Sequence, residues 1–409
     1  MSYRTLADLD GGQRVLARVD LNSPVSVGVV EDNRRFDRHA GTVRQLLEAD
    51  HAVALLAHQG RPGRDTFVSL EQHAEILADH LDHHVEYVPD TYGQTALDAI
   101  DALESGEVIL LENVRMTDDE LPEREPEEHA RSDFVQTLAP EFDAYVGDAY
   151  STAHRKHASI VGFPLVMDAY AGAVMQTEYE ANSAIATRDF EGEVTMVAGG
   201  KKATDVIDVM TALQDKVDNF LLGGVVGELF LRAVGYDVGR DIDEEDIYDS
   251  QWRANKDRIQ SLIQSHPSQL VYPSDLAYAD QRGERAEVTV SEVKNRDWDY
   301  LDVGSDTISQ FSDIAGNSEA VFVKGALGVF EDERFSNGTV RVLEAIANSD
   351  CFSVVGGGDT SRVIDMYGMD EEDFSHVSIA GGAYINALTG KSLPGVEVLR
   401  RAASPETEV

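Results

Sequence analysis

The chain has 409 residues, of which 42% are hydrophobic, and this is enough apolar material for two globular domains with separate cores. It contains no run of about eighteen apolar residues and no signal-peptide pattern at its N-terminus, which predicts a cytoplasmic protein without a membrane span. Its 75 acidic and 34 basic residues give a formal net charge of -41, which argues against a nucleic-acid partner. The one cysteine, Cys351, excludes a disulfide within the chain.

The acidic residues are spread along the whole chain instead of forming one tail, as in IDEEDIYD (242–249) and MDEED (369–373). Only eight of the 34 basic residues are Lys. Repulsion among so many carboxylates destabilises a compact state unless salt screens it. The composition therefore favours a cytoplasm of very high salt, as in an extreme halophile. An acidic protein from ordinary salt is the alternative.

Short apolar runs recur along the chain, each followed by Gly or a charged residue and then by a longer segment compatible with a helix. Continuous apolar strands that alternate with helices are typical of parallel sheets, so the sequence predicts an α/β protein. Ligands bind beyond the carboxyl ends of such strands. The runs are RVLARVDLN (14–22), HAVALLAHQG (51–60), EVILLENVR (107–115), FDAYVGDAY (142–150), EVTMVAGGKK (193–202), VDNFLLGG (217–224), QLVYPSD (269–275), EAVFVKGALG (319–328), CFSVVGGGD (351–359) and HVSIAGG (376–382).

The segment 166–190 separates two halves of different character. It has apolar positions at helical spacing and no proline, which predicts one long connecting helix. The strand ends before it carry Arg and His, whereas the strand ends after it carry Gly together with Lys or Asp. The two halves are therefore expected to bind different ligands.

Glycine-rich strand ends mark the second half as a nucleotide site. Glycine lets the backbone approach a ligand, and the amides of the following helix attract phosphate. Several such ends together favour a nucleotide polyphosphate with its Mg²⁺ over tight turns alone. The chain lacks GxxxxGK[ST], and lacks GxGxxG after its first strand, so it resembles neither P-loop enzymes nor dinucleotide dehydrogenases. The strand ends are Gly199-Gly200-Lys201-Lys202, Gly223-Gly224, Lys324-Gly325, Gly356-Gly357-Gly358-Asp359 and Gly381-Gly382.

Arginines at or near strand ends mark the first half as an anion site. A guanidinium holds a carboxylate or phosphate with two hydrogen bonds, so these residues predict a pocket for a small, multiply anionic substrate. A surface ion pair is the alternative for each one alone. His58, His154 and His157 raise the alternative of a metal, but hydrogen bonding to substrate is favoured because no third ligand has suitable spacing. Together the halves predict phosphoryl transfer across a cleft. The arginines are Arg18, Arg35, Arg61, Arg115 and Arg155.

Ten motifs follow one another along the chain: RVDLNSPV (18–25), NRRF (33–36), AHQGRPG (57–63), LLENVRM (110–116), GDAYSTAHRKHASIVG (147–162), AGGKKATDVI (198–207), LLGGVVGELFL (221–231), KGALGVFED (324–332), VVGGGDTSR (354–362) and HVSIAGGAYINALTGKSLPGVEVL (376–399). In this order the sequence resembles the phosphoglycerate kinase family over nearly its whole length. The acidic, lysine-poor composition is similar to that of a haloarchaeal member.

The resemblance implies two Rossmann-like parallel-sheet domains joined by a hinge helix, with a deep interdomain cleft. Residues 1–165 would bind 3-phosphoglycerate or 1,3-bisphosphoglycerate, 166–190 would be the hinge helix, and 191–389 would bind Mg²⁺ with ATP or ADP. The tail, about 390–409, would pack back on the first domain. The implied enzyme is a monomer or weak dimer that transfers a phosphoryl group reversibly between 1,3-bisphosphoglycerate and ADP in glycolysis and gluconeogenesis.

The resemblance also assigns residues. Glu331 suits the ribose hydroxyls, Asp359 the metal and Lys202 the phosphates, and the implied catalytic groups are Arg35, Lys202 and the backbone near Gly358 and Gly381. The implied acid-binding residues are Asp20, Asn22, Arg35, His58, Arg61, Arg115, His154, Arg155 and His157. The implied nucleotide-binding residues are Gly199, Gly200, Lys202, Gly223, Gly224, Lys324, Glu331, Gly356, Gly357, Gly358, Asp359 and Thr360.

Departures from the family pattern leave alternatives open. The family commonly reads GGAKVSDKI where this chain reads GGKKATDVI, so Val206 replaces a lysine. Lys324 or Lys201 would restore that charge, whereas lineage drift is the other interpretation. A kinase for a different small acid and a non-catalytic paralogue that binds nucleotide or a partner are the alternative functions. Further departures are Lys324 in place of Asn, Ala326 in place of Pro, and Ile379 and Ala380 in the last glycine motif.

Overall fold

A computed structural model of the chain describes residues 2–238, 247–293 and 299–404, without the side chains of Ile247 and Asp359. The chain forms two compact units. The first runs to Glu180 and includes the chain again from Ser392, and the second is Ala181–Lys391. None of the helices in the described ranges combines the length and the apolar character needed to cross a membrane.

The strands belong to two parallel sheets and to smaller antiparallel ones. They are β1 (Arg14–Arg18), β2 (Val25–Ser26), β3 (Val29–Val30), β4 (Ala52–Leu56), β5 (Glu86–Val88), β6 (Val108–Leu111), β7 (Ala144–Gly147), β8 (Asp168–Ala171), β9 (Val194–Ala198), β10 (Asn219–Leu222), β11 (Leu270–Val271), β12 (Asp275–Ala279), β13 (Arg285–Thr289), β14 (Tyr300–Val303), β15 (Ala320–Lys324), β16 (Phe352–Gly356) and β17 (His376–Val377).

Helices connect most of the parallel strands. They are α1 (Arg34–Glu48), α2 (Glu71–Leu81), α3 (Gln94–Ala102), α4 (Pro126–His129), α5 (Asp133–Leu138), α6 (Ala158–Val161), α7 (Ala173–Asn182), α8 (Ala184–Thr187), α9 (Ala203–Leu213), α10 (Gly224–Ala233), α11 (Ile247–Ser265), α12 (Ser305–Asn317), α13 (Asn337–Ala347), α14 (Gly358–Met366), α15 (Gly382–Leu388) and α16 (Pro394–Ala403).

The first unit is built on a parallel sheet with the order β5-β6-β4-β1-β7-β8. Its strands are apolar and buried on both faces, as the continuous apolar runs predict. Arg18, the last residue of β1, is paired with Leu56 of β4 and Gly147 of β7. The residues that follow these three strands therefore meet at one edge of the sheet.

The last helix, α16, belongs to the first unit. The backbone amide of Gly395 donates to the carbonyl of Ala153 at 2.9 Å, and the side chain of Leu399 lies against Gly147. Pro394 begins the helix, where a missing amide hydrogen costs nothing. The chain that enters the second unit after Glu180 thus contributes its C-terminal helix to the first.

The second unit is built on a parallel sheet with the order β11-β10-β9-β15-β16-β17. Lys324, the last residue of β15, is paired with Ala198 of β9 and Gly356 of β16, and Leu222 of β10 is paired with Ala198. The glycine segments after these strands therefore share one edge. The prediction of an α/β protein with two Rossmann-like parallel sheets is confirmed.

The interpretation of 166–190 as one long helix is wrong, because the segment contains a strand and two separate helices, α7 and α8. Residues Asp168–Ala171 form β8, which pairs in parallel with β7 at the edge of the first sheet. Helix α7 begins only at Ala173, after Gly172, and ends at Asn182. The short apolar run before Gly172 fits both a strand and a helix, and the open edge of β7 decides between them.

Strands β12, β13 and β14 form an antiparallel sheet in the order β13-β12-β14, beside the parallel sheet of the second unit. The loop between β12 and β13 contains Gly283 at a φ of +78°. A short glycine-containing loop between two short strands is typical of such a hairpin. Strand β14 carries Tyr300, Asp302 and Val303 to the wall of a cavity described below.

Candidate active site

Arg18 is the centre of a buried polar network at the carboxyl edge of the first sheet. It is 1% exposed. Its Nε donates to Ser159 Oγ at 2.8 Å, its Nη2 lies 3.1 Å from His58 Nδ1, and its Nη1 contacts the carbonyl of Val19. A buried guanidinium is costly unless its donors are used, and here all three nitrogens have partners. The network thus holds a fixed positive charge directly after β1.

Asp20 connects this network to Arg35. Its carboxylate accepts a hydrogen bond from Arg35 Nη1 at 2.6 Å, contacts the hydroxyl of Ser151, and lies 3.5 Å from His58 Nδ1. Burial alone would raise the pKa of Asp20, but Arg35, His58 and Ser151 together hold it well below its usual range. Burial also holds the pKa of His58 well below its ordinary value, with a further contribution from Arg18. Asp20 is therefore ionised, and it orients Arg35.

The loop after β4 is fixed by Asn22 and Arg115. Asn22 Oδ1 accepts from the amide of Gly60 at 2.9 Å, and Arg115 Nη1 contacts the carbonyl of the same glycine. Gly60 has a φ of +63°, and a Cβ there would lie 2.3 Å from the carbonyl oxygen of Thr66, so only glycine fits. Arg61, the next residue, is exposed. Its guanidinium is thus presented from an ordered turn.

The segment after β7 adds Arg155 and two histidines. Burial, Arg18 and Arg155 lower the pKa of Arg115 to about 10, so the guanidinium of Arg115 is repelled by the other two. Burial and Arg155 likewise lower the pKa of His154 to about 4. Within the described ranges no residue forms a hydrogen bond or ion pair with the guanidinium of Arg155. An anionic ligand would relieve this repulsion.

His157 and Lys156, which also follow β7, have protein partners. His157 is 4% exposed, and its Nδ1 lies 3.5 Å from Glu120 Oε1. Lys156 instead forms a surface ion pair with Glu125 at 2.7 Å. The structure therefore brings the predicted acid-binding residues Asp20, Asn22, Arg35, His58 and Arg115 into one bonded network. His154, Arg155 and His157 follow the adjacent strand β7, and Arg61 follows the Gly60 turn.

A cavity of about 240 Å³ lies among the glycine segments of the second unit. The amide of Gly200 donates to the carbonyl of Ala326 at 2.7 Å, and that of Gly224 donates to the carbonyl of Leu327 at 3.0 Å. A Cβ on Gly223 would lie 2.3 Å from the side chain of Leu327. These glycines therefore let three loops pack closely, and the cavity lies between the loops.

The start of helix α14 is a second feature of the second unit, beside the cavity-forming glycine segments, at the carboxyl edge of its parallel sheet. Gly357 has a φ of +102°, and a Cβ on it would lie 3.2 Å from the ammonium nitrogen of Lys324. The hydroxyl of Thr360 is fully buried and has no hydrogen-bond partner among the residues that the structure describes. Helix amides, an ammonium group and an unsatisfied hydroxyl together suit a phosphate. The side chain of the predicted metal ligand Asp359 lies outside the described part.

Val206, in the helix that follows β9, is the most visible departure from the family pattern. It is 2% exposed, and its side chain lies on the buried side of α9. A lysine there would have to extend past the helix to reach a ligand. Lys202 precedes α9 and is exposed, and no described residue pairs with its ammonium group. Lys201 is also exposed and lines the cavity.

The remaining predicted groups of the second unit lie at the same sheet edge. Glu331 lines the cavity, with its carboxylate 3.6 Å from the guanidinium of Arg362. Gly381 directly precedes helix α15. A Cβ on Gly199 would lie 2.3 Å from the carbonyl oxygen of Ala326, and one on Gly356 would lie 2.2 Å from the ring of Tyr384.

Comparison with known proteins decides the family. The family model described as phosphoglycerate kinase matches residues 6–391. The phosphoglycerate kinase of Haloarcula marismortui is 65% identical over 401 residues, which cover 98% of this chain and 100% of that protein. The chain belongs to the phosphoglycerate kinase family. It is a phosphotransferase, and its reaction is the reversible transfer of a phosphoryl group between 1,3-bisphosphoglycerate and ADP, which gives 3-phosphoglycerate and ATP in glycolysis and gluconeogenesis.

Other phosphoglycerate kinases agree with this result. That of Halorubrum lacusprofundi is 64% identical, with 98% of this chain and 99% of that protein covered. The crystal structure of the Pyrococcus horikoshii phosphoglycerate kinase has a TM-score of 0.90 and 32% identity, and covers 98% of this chain and 99% of its own. The predicted similarity to a haloarchaeal phosphoglycerate kinase is confirmed. The alternatives of a kinase for a different acid and of a non-catalytic paralogue are set aside.

Sequence reasoning missed the residues that position the phosphoglycerate kinase site. His39 Nδ1 lies 2.7 Å from the carboxylate of Asp148, and its Nε2 accepts from the amide of Asp20 at 3.2 Å. Glu120 is buried and accepts from both the hydroxyl and the amide of Ser159 at 2.8 Å. Asp148 follows β7 directly, so its place after a strand was a usable signal. Glu120 lies in a charged loop and offered none.

Proposed function

We propose that the first unit, together with the chain from Ser392, is the domain that binds 3-phosphoglycerate and 1,3-bisphosphoglycerate. The observation that carries this proposal is the convergence of guanidinium groups at one sheet edge of a chain whose net charge is -41. Arg155 has no described partner, and Arg115 is repelled by both Arg18 and Arg155, which favours an anion of more than one charge. The proposed contacts are Asp20, Asn22, Arg35, His58, Arg61, Arg115, His154, Arg155 and His157.

The second unit is the nucleotide-binding domain of this proposal. The adenosine group would occupy the cavity beside Gly223 and Gly224, with Glu331 near the ribose, and the phosphates would lie toward Lys202 and the start of α14. The nucleotide enters as its Mg²⁺ complex, for which Asp359 is the proposed protein ligand. The buried, unsatisfied hydroxyl of Thr360 supports this placement of the phosphates, because it can donate to a phosphate oxygen beside the helix amides. Other proposed contacts are Gly199, Gly200, Lys324, Gly356, Gly357 and Gly358.

The proposed mechanism needs no general base. In the direction from ATP the nucleophile is the carboxylate of 3-phosphoglycerate, which is already ionised near neutral pH. Catalysis then consists of positioning and of stabilising the charge on the oxygens of the transferring group. Arg35 is the proposed donor from the first unit. Lys202 and the backbone amides near Gly358 and Gly381 are the proposed donors from the second.

Replacement of Arg155 tests the acid-binding site. Arg155→Ala is expected to raise the KM for 3-phosphoglycerate about tenfold or more, because it removes hydrogen bonds to a charged ligand, and to leave the KM for ATP nearly unchanged. Steady-state kinetics in molar KCl measure both constants. Lys156→Ala is the matched control, since that side chain pairs with Glu125 at the surface. An equal rise in both KM values would contradict the proposed role.

Replacement of Lys324 tests whether a lysine on a different strand compensates for Val206. Lys324→Ala is expected to lower kcat about tenfold or more if the ammonium group stabilises the transferring phosphoryl group. A fall below about threefold, or about 0.7 kcal/mol, would rule this role out. Lys201→Ala, measured in parallel, tells whether the compensating charge lies there instead.

The proposed setting is a cytoplasm of high salt, where both substrates are ordinary metabolites. The acidic surface supports an absence of nucleic-acid partners, and like-charge repulsion favours a monomer or weak dimer. Sedimentation equilibrium in molar KCl measures the oligomeric state. A stable higher oligomer at micromolar protein would contradict this part of the proposal.

A further inference from the structure

Glu228 is an acidic residue of the cavity that the mechanism does not use. It lies on α10 and lines the cavity together with Gly227, Leu276 and Tyr300. The side chain is partly exposed. Within residues 2–238, 247–293 and 299–404, no group forms a hydrogen bond or ion pair with its carboxyl group. The carboxyl group is therefore accessible from the cavity, where a ligand can supply a hydrogen-bond partner.

The other acidic residues of the cavity already have partners. Asp302 accepts from Arg285 Nη1 at 2.9 Å and from the amide of Gly338 at 2.9 Å. Glu331 is paired with Arg362. Glu228 is therefore the cavity acid whose hydrogen-bonding capacity is unused within the described part of the chain.

The charges of the cavity indicate which part of a nucleotide lies near Glu228. Phosphate binds to cations and backbone amides, and Lys201 is the cation of the described lining. The wall that carries Glu228 and Asp302 thus suits the uncharged end of the nucleotide, which is the base. The apolar side chains of Pro273 and Leu276 line the same cavity, and a planar base binds well against such surfaces.

The protonation state of Glu228 fits the edge of a base as well. Burial and the negative charge of Asp299 raise the pKa of Glu228 to about 8, so that near neutral pH it is mostly a neutral carboxyl group. A neutral carboxyl group presents an acceptor and a donor side by side. Adenine presents the complementary pair, an exocyclic amine and a neighbouring ring nitrogen.

We propose that Glu228 is a specificity-determining residue that accepts a hydrogen bond from the exocyclic amine of a purine base in the nucleotide site. This inference rests on the proposed function, which assigns the cavity to the nucleotide. It extends that function by naming the residue that distinguishes aminopurine nucleotides from purine nucleotides without the amine. A site built to bond a donor discriminates against ligands that lack it, because its polar group is then left unpaired.

The experiment compares nucleoside diphosphates that differ in one amine. Titration calorimetry in molar KCl measures Kd for ADP and for purine riboside 5′-diphosphate, which lacks only the exocyclic amine. The wild-type protein is expected to bind ADP about tenfold or more tightly, which corresponds to about 1.4 kcal/mol. GDP and IDP form a second pair, which differs in the amine on the other side of the ring.

Three variants identify the residue responsible. Glu228→Ala is expected to reduce the ADP preference below threefold, whereas Glu228→Gln is expected to keep it, because an amide also presents an acceptor and a donor side by side. Glu191→Ala is the matched control, since Glu191 is exposed in the same unit and does not line the cavity. Thermal unfolding of each variant shows whether the fold is intact. If the alanine variant does not fold, Glu228→Met, which has a similar length but no hydrogen-bonding oxygen, is measured in its place.

Several results would overturn the inference. One is a wild-type ratio near one for both nucleotide pairs, and another is an undiminished ratio in Glu228→Ala. If Glu228→Ala loses only the preference for GDP over IDP, Glu228 contacts the amine of guanine, and the amine contact is supported for that base. Val225→Trp, at the cavity wall, distinguishes failure of the proposed nucleotide site from failure of the proposed role of Glu228. If it leaves ADP binding intact, the proposed nucleotide site is wrong. If it abolishes ADP binding while the Glu228 variants change nothing, only the further inference fails.

Discussion

Arg35→Ala is expected to lower kcat by about a hundredfold or more, the loss typical of removing one well-placed donor to a charge that develops in the transition state. The geometry of Arg35 supports this magnitude. Its guanidinium donates to Asp20 at 2.6 Å and to the carbonyl of Asn22 at 3.2 Å. Its own backbone amide is capped by Asn33 at the start of α1. The side chain is thus held by ordered elements, so its guanidinium is oriented before substrate binds.

Rapid-quench measurement of a single turnover checks this expectation, since it separates the chemical step from product release. Arg35→Lys keeps the charge but loses the planar fork, and it is expected to recover only part of the rate. Arg44→Ala is the matched control, because Arg44 is an exposed residue of the same helix whose one hydrogen-bond partner within the described residues is the carbonyl of His80. An unaltered single-turnover rate in Arg35→Ala would remove this residue from the mechanism.

Removal of salt is expected to unfold the protein. Like charges separated by several ångströms in water repel by a few tenths of a kcal/mol each. Over the excess of 41 acidic residues, repulsion of this kind sums to on the order of 10 kcal/mol, comparable with the whole stability of a domain. At molar salt the screening length falls to about 3 Å and the repulsion largely disappears. Thermal unfolding followed by circular dichroism from low to molar KCl measures the effect.

A variant with fewer charges separates screening from other effects of salt. Asp65, Glu75 and Asp82 are exposed in the first unit, and no described partner contacts their carboxylates. The combined variant Asp65→Asn, Glu75→Gln and Asp82→Asn is expected to unfold at a lower KCl concentration than the wild type. Asn is chosen at Asp82 because that residue has a φ of +49°, which Asn tolerates. An unfolding temperature independent of KCl would contradict the halophilic interpretation.

Much of the candidate site could be predicted because parallel strands constrain where their ends lie. Arg18, Asp20 and His58 follow apolar runs, and the sheet register brings those runs to a common edge. The same reasoning applies to Gly199, Gly223 and Gly356 in the second unit. Chemistry placed directly after a strand is therefore visible in the sequence.

Other features depended on packing that the sequence pattern does not contain. Strand β8 exists because β7 has an open edge that its short run can join. The side chain of Val206, where the family commonly has a lysine, lies on the buried side of α9. Glu228 lies in the LLGGVVGELFL motif, but only the folded helix shows that it faces the cavity. The expected cleft and the domain boundaries stay predictions.

By itself the sequence determined the α/β class, the family resemblance, the acidic surface and the strand ends that carry functional groups, because each depends on local pattern or composition. The tertiary structure decided which of those groups meet. Asp20 and Arg35 became an ion pair, Lys156 was directed to Glu125, and the glycine loops enclosed a cavity with Glu228 in its wall. Such outcomes depend on contacts between residues far apart in the chain, and only the completed packing fixes the distances between them.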